Sequence, residues 1–192
     1  MLEELTSSMN LIITQTQANY PILMVIFLLP CVVYVLNKIL GNRLLLLGIV
    51  PRQAYGLLGV VFAPLLHADF NHLFFNMIPL LILGNFVLIE SNLVVFIEVT
   101  VFVTLLSGIL IWCFGHTGLH VGASALITGY WGFLISNILN QGTFITVILG
   151  LISLYYFVGL FFGIFPGKKG VSWEGHLFGL LAGIASSYVI AL

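Results

Sequence analysis

The chain consists largely of long apolar stretches, separated by short breaks of residues that end helices. A helix that spans a bilayer needs about 20 apolar residues. Six stretches approach or exceed that length: 20–40, 72–90, 93–114, 123–139, 144–165 and 173–192. Because backbone polar groups in lipid must be paired within the protein, such stretches form helices. We therefore expect an all-α membrane protein with six transmembrane helices, in which residues 1–192 form a single domain.

The composition agrees with a bilayer as the surrounding solvent. Of the 192 residues, 61% are hydrophobic and 6% are charged, and the net charge is -1. Soluble domains carry roughly a quarter charged residues. Cys31 and Cys113 lie in apolar runs far apart, where a small buried hydrophobe is the favoured interpretation. With no basic patch in the sequence, we expect the lipid bilayer as a partner and no nucleic acid.

The stretch 44–66 is apolar but is not a regular span. Pro51, Pro64 and three glycines interrupt it. Irregular backbone at membrane depth is tolerated only where it is buried in protein or faces a wet cavity. We expect a membrane-associated loop that lies in the interface or dips in beside the bundle and leads into His67.

The basic residues of the chain all fall in the first and fifth predicted connections, which lie on the same face if six spans hold. They are Lys38, Arg43, Arg52, Lys168 and Lys169. The positive-inside rule places that face in the cytoplasm, with both termini outside.

Three short polar patterns interrupt the apolar background, at the starts of the second, fourth and sixth predicted spans. They are His67 with His72 and Asn76, Gly122 with Ser124, and His176 with Gly175, Gly179 and Gly183. A polar residue at membrane depth costs a few kcal/mol and is a functional-site hypothesis by default. A serine, a distant histidine and a His/Asn pair supply a nucleophile, its base and an oxyanion site.

Ser124 stands at the predicted start of the fourth span, where the first backbone N–H groups lack partners within the helix. A serine there can attack a carbonyl while its own N–H stabilises the oxyanion. The alternative is packing, because small residues such as Gly122 and Ser124 are common wherever membrane helices approach closely.

The glycines near His176 repeat every fourth residue and form one bare stripe: Gly175, Gly179 and Gly183. Such a stripe lets a neighbouring helix approach and can bring His176 to Ser124. The alternative for His176 is a snorkelling or capping residue at the membrane interface. No carboxylate is well placed to complete a triad, so the pattern predicts a Ser/His dyad in which packing fixes the imidazole.

His72 and Asn76 lie one turn apart on one helix face, and both can donate hydrogen bonds to an oxyanion. We expect His67 to brace the loop before them. The alternative is a metal or haem site using several histidines: His67, His72, His116 and His120. Asn76 is a poor zinc ligand and Gly118 breaks any helix that would align the last two histidines. We therefore expect no metal and no cofactor, with His116 and His120 in a loop at the mouth of the site.

Taken in order, these patterns resemble the rhomboid family of intramembrane serine proteases between about His67 and Gly183. The run from Gly48 to Arg52 also resembles the family's first-loop signature. The resemblance implies a six-helix core with Ser124 as nucleophile and His176 as general base. It implies that His72, Asn76 and the serine N–H form the oxyanion site.

Two residues depart from the family pattern. Ala125 replaces the usual glycine after the serine, and Thr128 replaces an aromatic that often lies under the histidine. We expect Tyr130 or Trp173 to orient His176 instead. The family usually places the serine-bearing face outside the cytoplasm, opposite to the orientation that the basic residues indicate.

The resemblance therefore implies an intramembrane serine endopeptidase that cleaves membrane proteins in or near their transmembrane segments. Because helical backbone hides its carbonyls, substrates should carry Gly, Ala or other small residues near the cut. We expect a multi-pass protein of a bacterial plasma membrane. The alternatives are a non-catalytic rhomboid-like protein that binds transmembrane partners, and a metal- or haem-binding membrane protein.

Overall fold

The computed structural model describes residues 2–165 and 172–190, which form a bundle of helices. The helices are α1 (Leu2–Ile39), α2 (Gly59–Phe62), α3 (Phe70–Glu90), α4 (Leu93–Phe114), α5 (Ser124–Asn140), α6 (Phe144–Phe157), α7 (Gly159–Phe162) and α8 (Trp173–Val189). Among the described residues, α1, α3 and α4 are long and apolar enough to cross a membrane. The expected all-helical membrane fold is confirmed, while the count of six crossings stays a prediction.

Helix α5 is the central element, since it packs against α3, α4, α6 and α8. Its large side chains Tyr130, Phe133 and Leu134 are almost completely buried. Burial of this kind suits a helix of 17 residues that is surrounded by other helices. The serine at its start therefore belongs to a helix whose middle is anchored in the core.

Helix α1 is longer than the apolar run that predicted it. It begins at Leu2, because residues 2–19 contain no Gly or Pro and Glu3 and Glu4 favour a helix N-terminus. Asn19 donates to Asn85 of α3 over 3.1 Å, and Asn85 donates to Thr16 over 2.8 Å. These bonds attach the polar part of the helix to α3.

The fifth predicted span, 144–165, is divided in the structure. Helix α6 ends at Phe157 and the short α7 begins at Gly159, where glycine weakens helix formation. The predicted break that follows, with Lys168 and Lys169, lies outside the described residues, as do the last two residues of the sixth predicted span.

The stretch before α3 is irregular, as expected. It contains three short 3-10 turns, Arg43–Leu47, Ala54–Leu58 and Ala63–Leu65, in addition to α2. Its backbone pairs with the loop between α4 and α5, residues 115–123. The bonds are Ile49 N–H to the His120 carbonyl (3.0 Å), His120 N–H to the Ile49 carbonyl (2.9 Å) and Gly122 N–H to the Ala63 carbonyl (2.9 Å).

Candidate active site

Ser124 is the first residue of α5 and is half-buried. The backbone before it turns at Gly122, whose φ of +113° lies in the region that favours glycine. No described residue forms a hydrogen bond with the Ser124 hydroxyl. The first backbone N–H groups of α5 follow directly after that hydroxyl and have no acceptor within the helix. The start of α5 can therefore bind an anion.

A small cavity of about 30 Å³ adjoins Ser124. It lies between the irregular loop, α4, and the starts of α5 and α8, and Ser107, His120 and Ser172 supply polar groups to its wall. A volume of this size holds about one or two water molecules. Water can therefore be present within reach of the serine.

His176 is the fourth residue of α8 and is half-buried. Its Nδ1 is covered by the backbone of Gly163 and has no hydrogen-bond partner of good geometry. Its imidazole is close enough to that of His72 for the two to interact electrostatically. Ser124 and His176 are not hydrogen-bonded to each other here, and such bonds often tighten only with substrate bound.

The glycine stripe brings α8 against α5, as the sequence predicts for two of its three members. A methyl group on Gly179 would overlap the Ala125 carbonyl oxygen, and one on Gly183 would overlap the backbone of Gly129. Gly175 differs, because it faces Ser172 on its own turn. The two helices therefore touch backbone to backbone immediately after the serine and the histidine.

His72 lies directly beside the serine segment. A Cβ on Gly122 would come within 2.5 Å of His72 Nε2, so the imidazole occupies the space that the missing side chain leaves. Asp69 caps α3 by accepting the His72 N–H over 2.9 Å, which fixes the turn that presents the ring. Asn76 donates from Nδ2 to the His72 carbonyl over 2.7 Å, and its amide retains a second N–H.

His67 packs against His72 rather than against the serine. Its side chain is 1% exposed, and the two ring centroids are 5.1 Å apart at an interplanar angle of 67°. Burial lowers the pKa of His67 to about 4, so the ring is neutral at ordinary pH. The two rings meet edge to face, and the bracing role expected for His67 stays a prediction.

The remaining two histidines lie in the loop between α4 and α5 and contact the start of α8. His116 Nδ1 is 2.6 Å from Glu174 Oε1, and His120 Nδ1 is 2.9 Å from Ser172 Oγ. Neither pair is visible as a sequence pattern, because each joins residues more than 50 positions apart. Within the described parts of the chain, no three His, Cys, Asp or Glu side chains converge as a metal site requires.

Thr128 stands where related sequences often have an aromatic residue, and Tyr130 is expected to orient His176 in its place. The Thr128 hydroxyl lies 3.0 Å from the carbonyls of Ser124 and of Ala125, which accept its hydrogen. The Tyr130 hydroxyl pairs with Thr100 of α4 at 2.7 Å. The expectation that Tyr130 orients His176 is therefore wrong, since its ring is directed at α4.

Comparison with known proteins identifies the family. A family model for the rhomboid domain matches residues 51–192. An uncharacterized protein of Mycobacterium tuberculosis is 38% identical over 172 aligned residues, covering 83% of this chain and 70% of the relative. One of Mycobacterium leprae is 38% identical over 145 residues, covering 69% of this chain and 56% of the relative. With a family model matched over most of its length, the chain belongs to the rhomboid family.

Proposed function

We propose that this protein is an intramembrane serine endopeptidase, which hydrolyses peptide bonds in or near the transmembrane segments of membrane-protein substrates. The observation that carries the proposal is the backbone contact between α5 and α8 at Gly179 and Ala125. It holds the helix that begins with Ser124 against the helix that bears His176. Membership of the rhomboid family supports the same reaction.

In the proposed reaction, the Ser124 hydroxyl oxygen attacks the substrate carbonyl carbon and its proton moves to His176. Because Gly163 covers Nδ1, Nε2 is the nitrogen that accepts this proton. The imidazolium then gives the proton to the leaving amine as the peptide C–N bond breaks. A water molecule hydrolyses the resulting serine ester by the same route in reverse.

The oxyanion of the tetrahedral intermediate needs donors near the serine. The Ser124 backbone N–H, the His72 ring beside Gly122 and the second N–H of Asn76 are the candidates. The proposal is supported by the contact of the His72 ring with Gly122, two residues before the serine. We propose a bacterial plasma membrane as the location, in keeping with the mycobacterial relatives.

A fluorophosphonate probe tests this proposal, because it reacts only with an activated serine. We expect labelling of the purified protein in detergent, and cleavage of a model transmembrane substrate with a Gly/Ala-rich segment. Ser124→Ala and His176→Ala should each abolish both signals while helix content by circular dichroism is kept. The double variant should be no worse than either single one, because members of a dyad act as a unit.

Labelling or cleavage that persists in either single variant would refute the dyad. A wild-type protein that is folded, binds the model substrate and is never labelled would instead indicate a non-catalytic member of the family. Metal analysis of the same preparation tests the remaining alternative, a metal- or haem-binding membrane protein.

A further inference from the structure

The loop between α4 and α5, residues 115–123, is joined to the start of α8 by side chains outside the proposed catalytic set. The Glu174 carboxylate accepts from His116 Nδ1–H over 2.6 Å and from the His116 backbone N–H over 3.3 Å. His120 Nδ1 is 2.9 Å from Ser172 Oγ. We call these four side chains the loop clamp.

The proton positions within the loop clamp follow from the partners. His120 Nε2 lies 3.0 Å from the His116 carbonyl, which can only accept, so Nε2 carries the proton. His120 Nδ1 then accepts from the Ser172 hydroxyl. Ser172 Oγ in turn accepts the Gly175 N–H over 3.2 Å and caps α8. Burial lowers the pKa of His120, which favours this neutral tautomer.

Glu174 is suited to fasten the helix but not to take part in the reaction. It is the second residue of α8, where a carboxylate is stabilised by the helix dipole, and it is 5% exposed. It lies two positions before His176, so its side chain leaves the helix in a different direction. Its partner His116 is 57% exposed, so removal of the imidazole leaves no internal cavity.

We infer that His116 and Glu174 are positioning residues, which fix the serine and the histidine of the proposed dyad relative to each other. This inference rests on the proposed function. The Gly179 contact holds α8 to α5 after His176, and the loop clamp holds α8 to the segment that precedes Ser124. One attachment therefore precedes Ser124 and His176 in the chain, and the other follows them.

The test compares His116→Ala, Glu174→Ala and the double variant, with Thr117→Ala as a matched control in the same exposed loop. A small fluorophosphonate reports serine activation without needing substrate-binding surfaces. We expect each alanine variant to label about tenfold more slowly. A displacement of about 1 Å costs on the order of 10²-fold, and the Gly179 contact, which these variants keep, limits the displacement to less than that. Cleavage should lose kcat with KM nearly unchanged, and the double variant should be no slower than the singles. Thr117→Ala should behave as wild type.

Glu174→Gln distinguishes the hydrogen bond from the bulk of the side chain. The amide oxygen can accept the same two N–H groups, so its labelling rate should exceed that of Glu174→Ala and approach wild type. A Gln variant as slow as the Ala variant would contradict the inference, as would additive losses in the double variant. Ser124-dependent labelling that is unchanged in both alanine variants would overturn this inference alone. Wild-type protein that is not labelled would overturn the proposed function and this inference with it.

Discussion

Gly179 of α8 lies against the carbonyl oxygen of Ala125 on α5, with no room for a side chain between them. Thr128 closes the same space from the next turn of α5. The contact is formed by backbone atoms, which cannot rotate away as the end of a side chain can. Any addition at this position must therefore move a helix.

Gly179→Ala should abolish probe labelling without removing an atom of the proposed dyad. The added methyl group separates α5 from α8, and misplacement of about 1 Å costs on the order of 10²-fold in rate. Probe labelling and substrate cleavage measure the loss. Gly159→Ala is the control, because a Cβ there meets nothing within 4 Å. A fully active Gly179→Ala protein would show that another contact brings the two residues together.

Gly150→Ala provides a second comparison within the membrane. A Cβ there meets mainly the side chain of Ile138, with the Leu134 carbonyl oxygen at 3.1 Å, near the end of α5 that is opposite to Ser124. We expect a lower thermal unfolding temperature in detergent, with a smaller loss of labelling than for Gly179→Ala. Equal losses in the two variants would mean that general packing, rather than the α5–α8 contact, controls activity.

Asn76→Ala and His72→Ala should lower kcat by about 10²-fold to 10³-fold, the usual scale for one oxyanion donor. The two effects should differ, because the His72 ring contacts the serine segment whereas Asn76 also donates to its own helix. Steady-state cleavage, with substrate binding measured separately, checks this. Normal turnover in both variants would show that His72 and Asn76 have a structural role only.

Thr128→Val should leave labelling within about threefold of wild type, because the lost hydroxyl bonds only to carbonyls of its own helix and such bonds contribute about 1 kcal/mol. The valine keeps the shape that fits against α8. A large loss of activity with normal thermal stability would instead assign the hydroxyl to the reaction.

His67 should make the protein sensitive to acid. Its pKa is about 4 when folded and near 6.5 when exposed, so the unfolded chain binds a proton more readily between these values. Stability is complete above pH 6.5 and falls as the pH is lowered towards 4. We expect the unfolding temperature of the wild type to drop by several degrees more than that of His67→Leu between pH 7 and pH 4.5. Equal drops would contradict the buried neutral imidazole.

The sequence predicts α4 to the residue, because Asn92 caps its first turn and Gly115 follows its last. The sequence predicts the bounds of a helix less well where hydropathy does not mark them. Residues 2–19 of α1 are too polar to mark a span, yet nothing in them breaks a helix. Gly159 divides the fifth apolar stretch, although hydropathy continues across it.

For the site, the sequence identified Ser124, His176, His72 and Asn76 through patterns within single helices, and their roles stay predictions. The contact of Gly179 with α5 followed from spacing alone. The pair formed by His116 and Glu174 did not, because it depends on how a loop meets a distant helix turn. Only the folded chain brings those two residues together.

The pairing of Ile49 with His120 ties the irregular loop to the loop that precedes the serine. Two segments joined by backbone bonds open as one cooperative unit, so their amides should exchange with solvent hydrogen at a common rate. A substrate that entered by lifting the irregular loop would also release Gly122 and disturb the nucleophile. Under the proposed function, opening on that side would therefore disturb the geometry that the reaction needs.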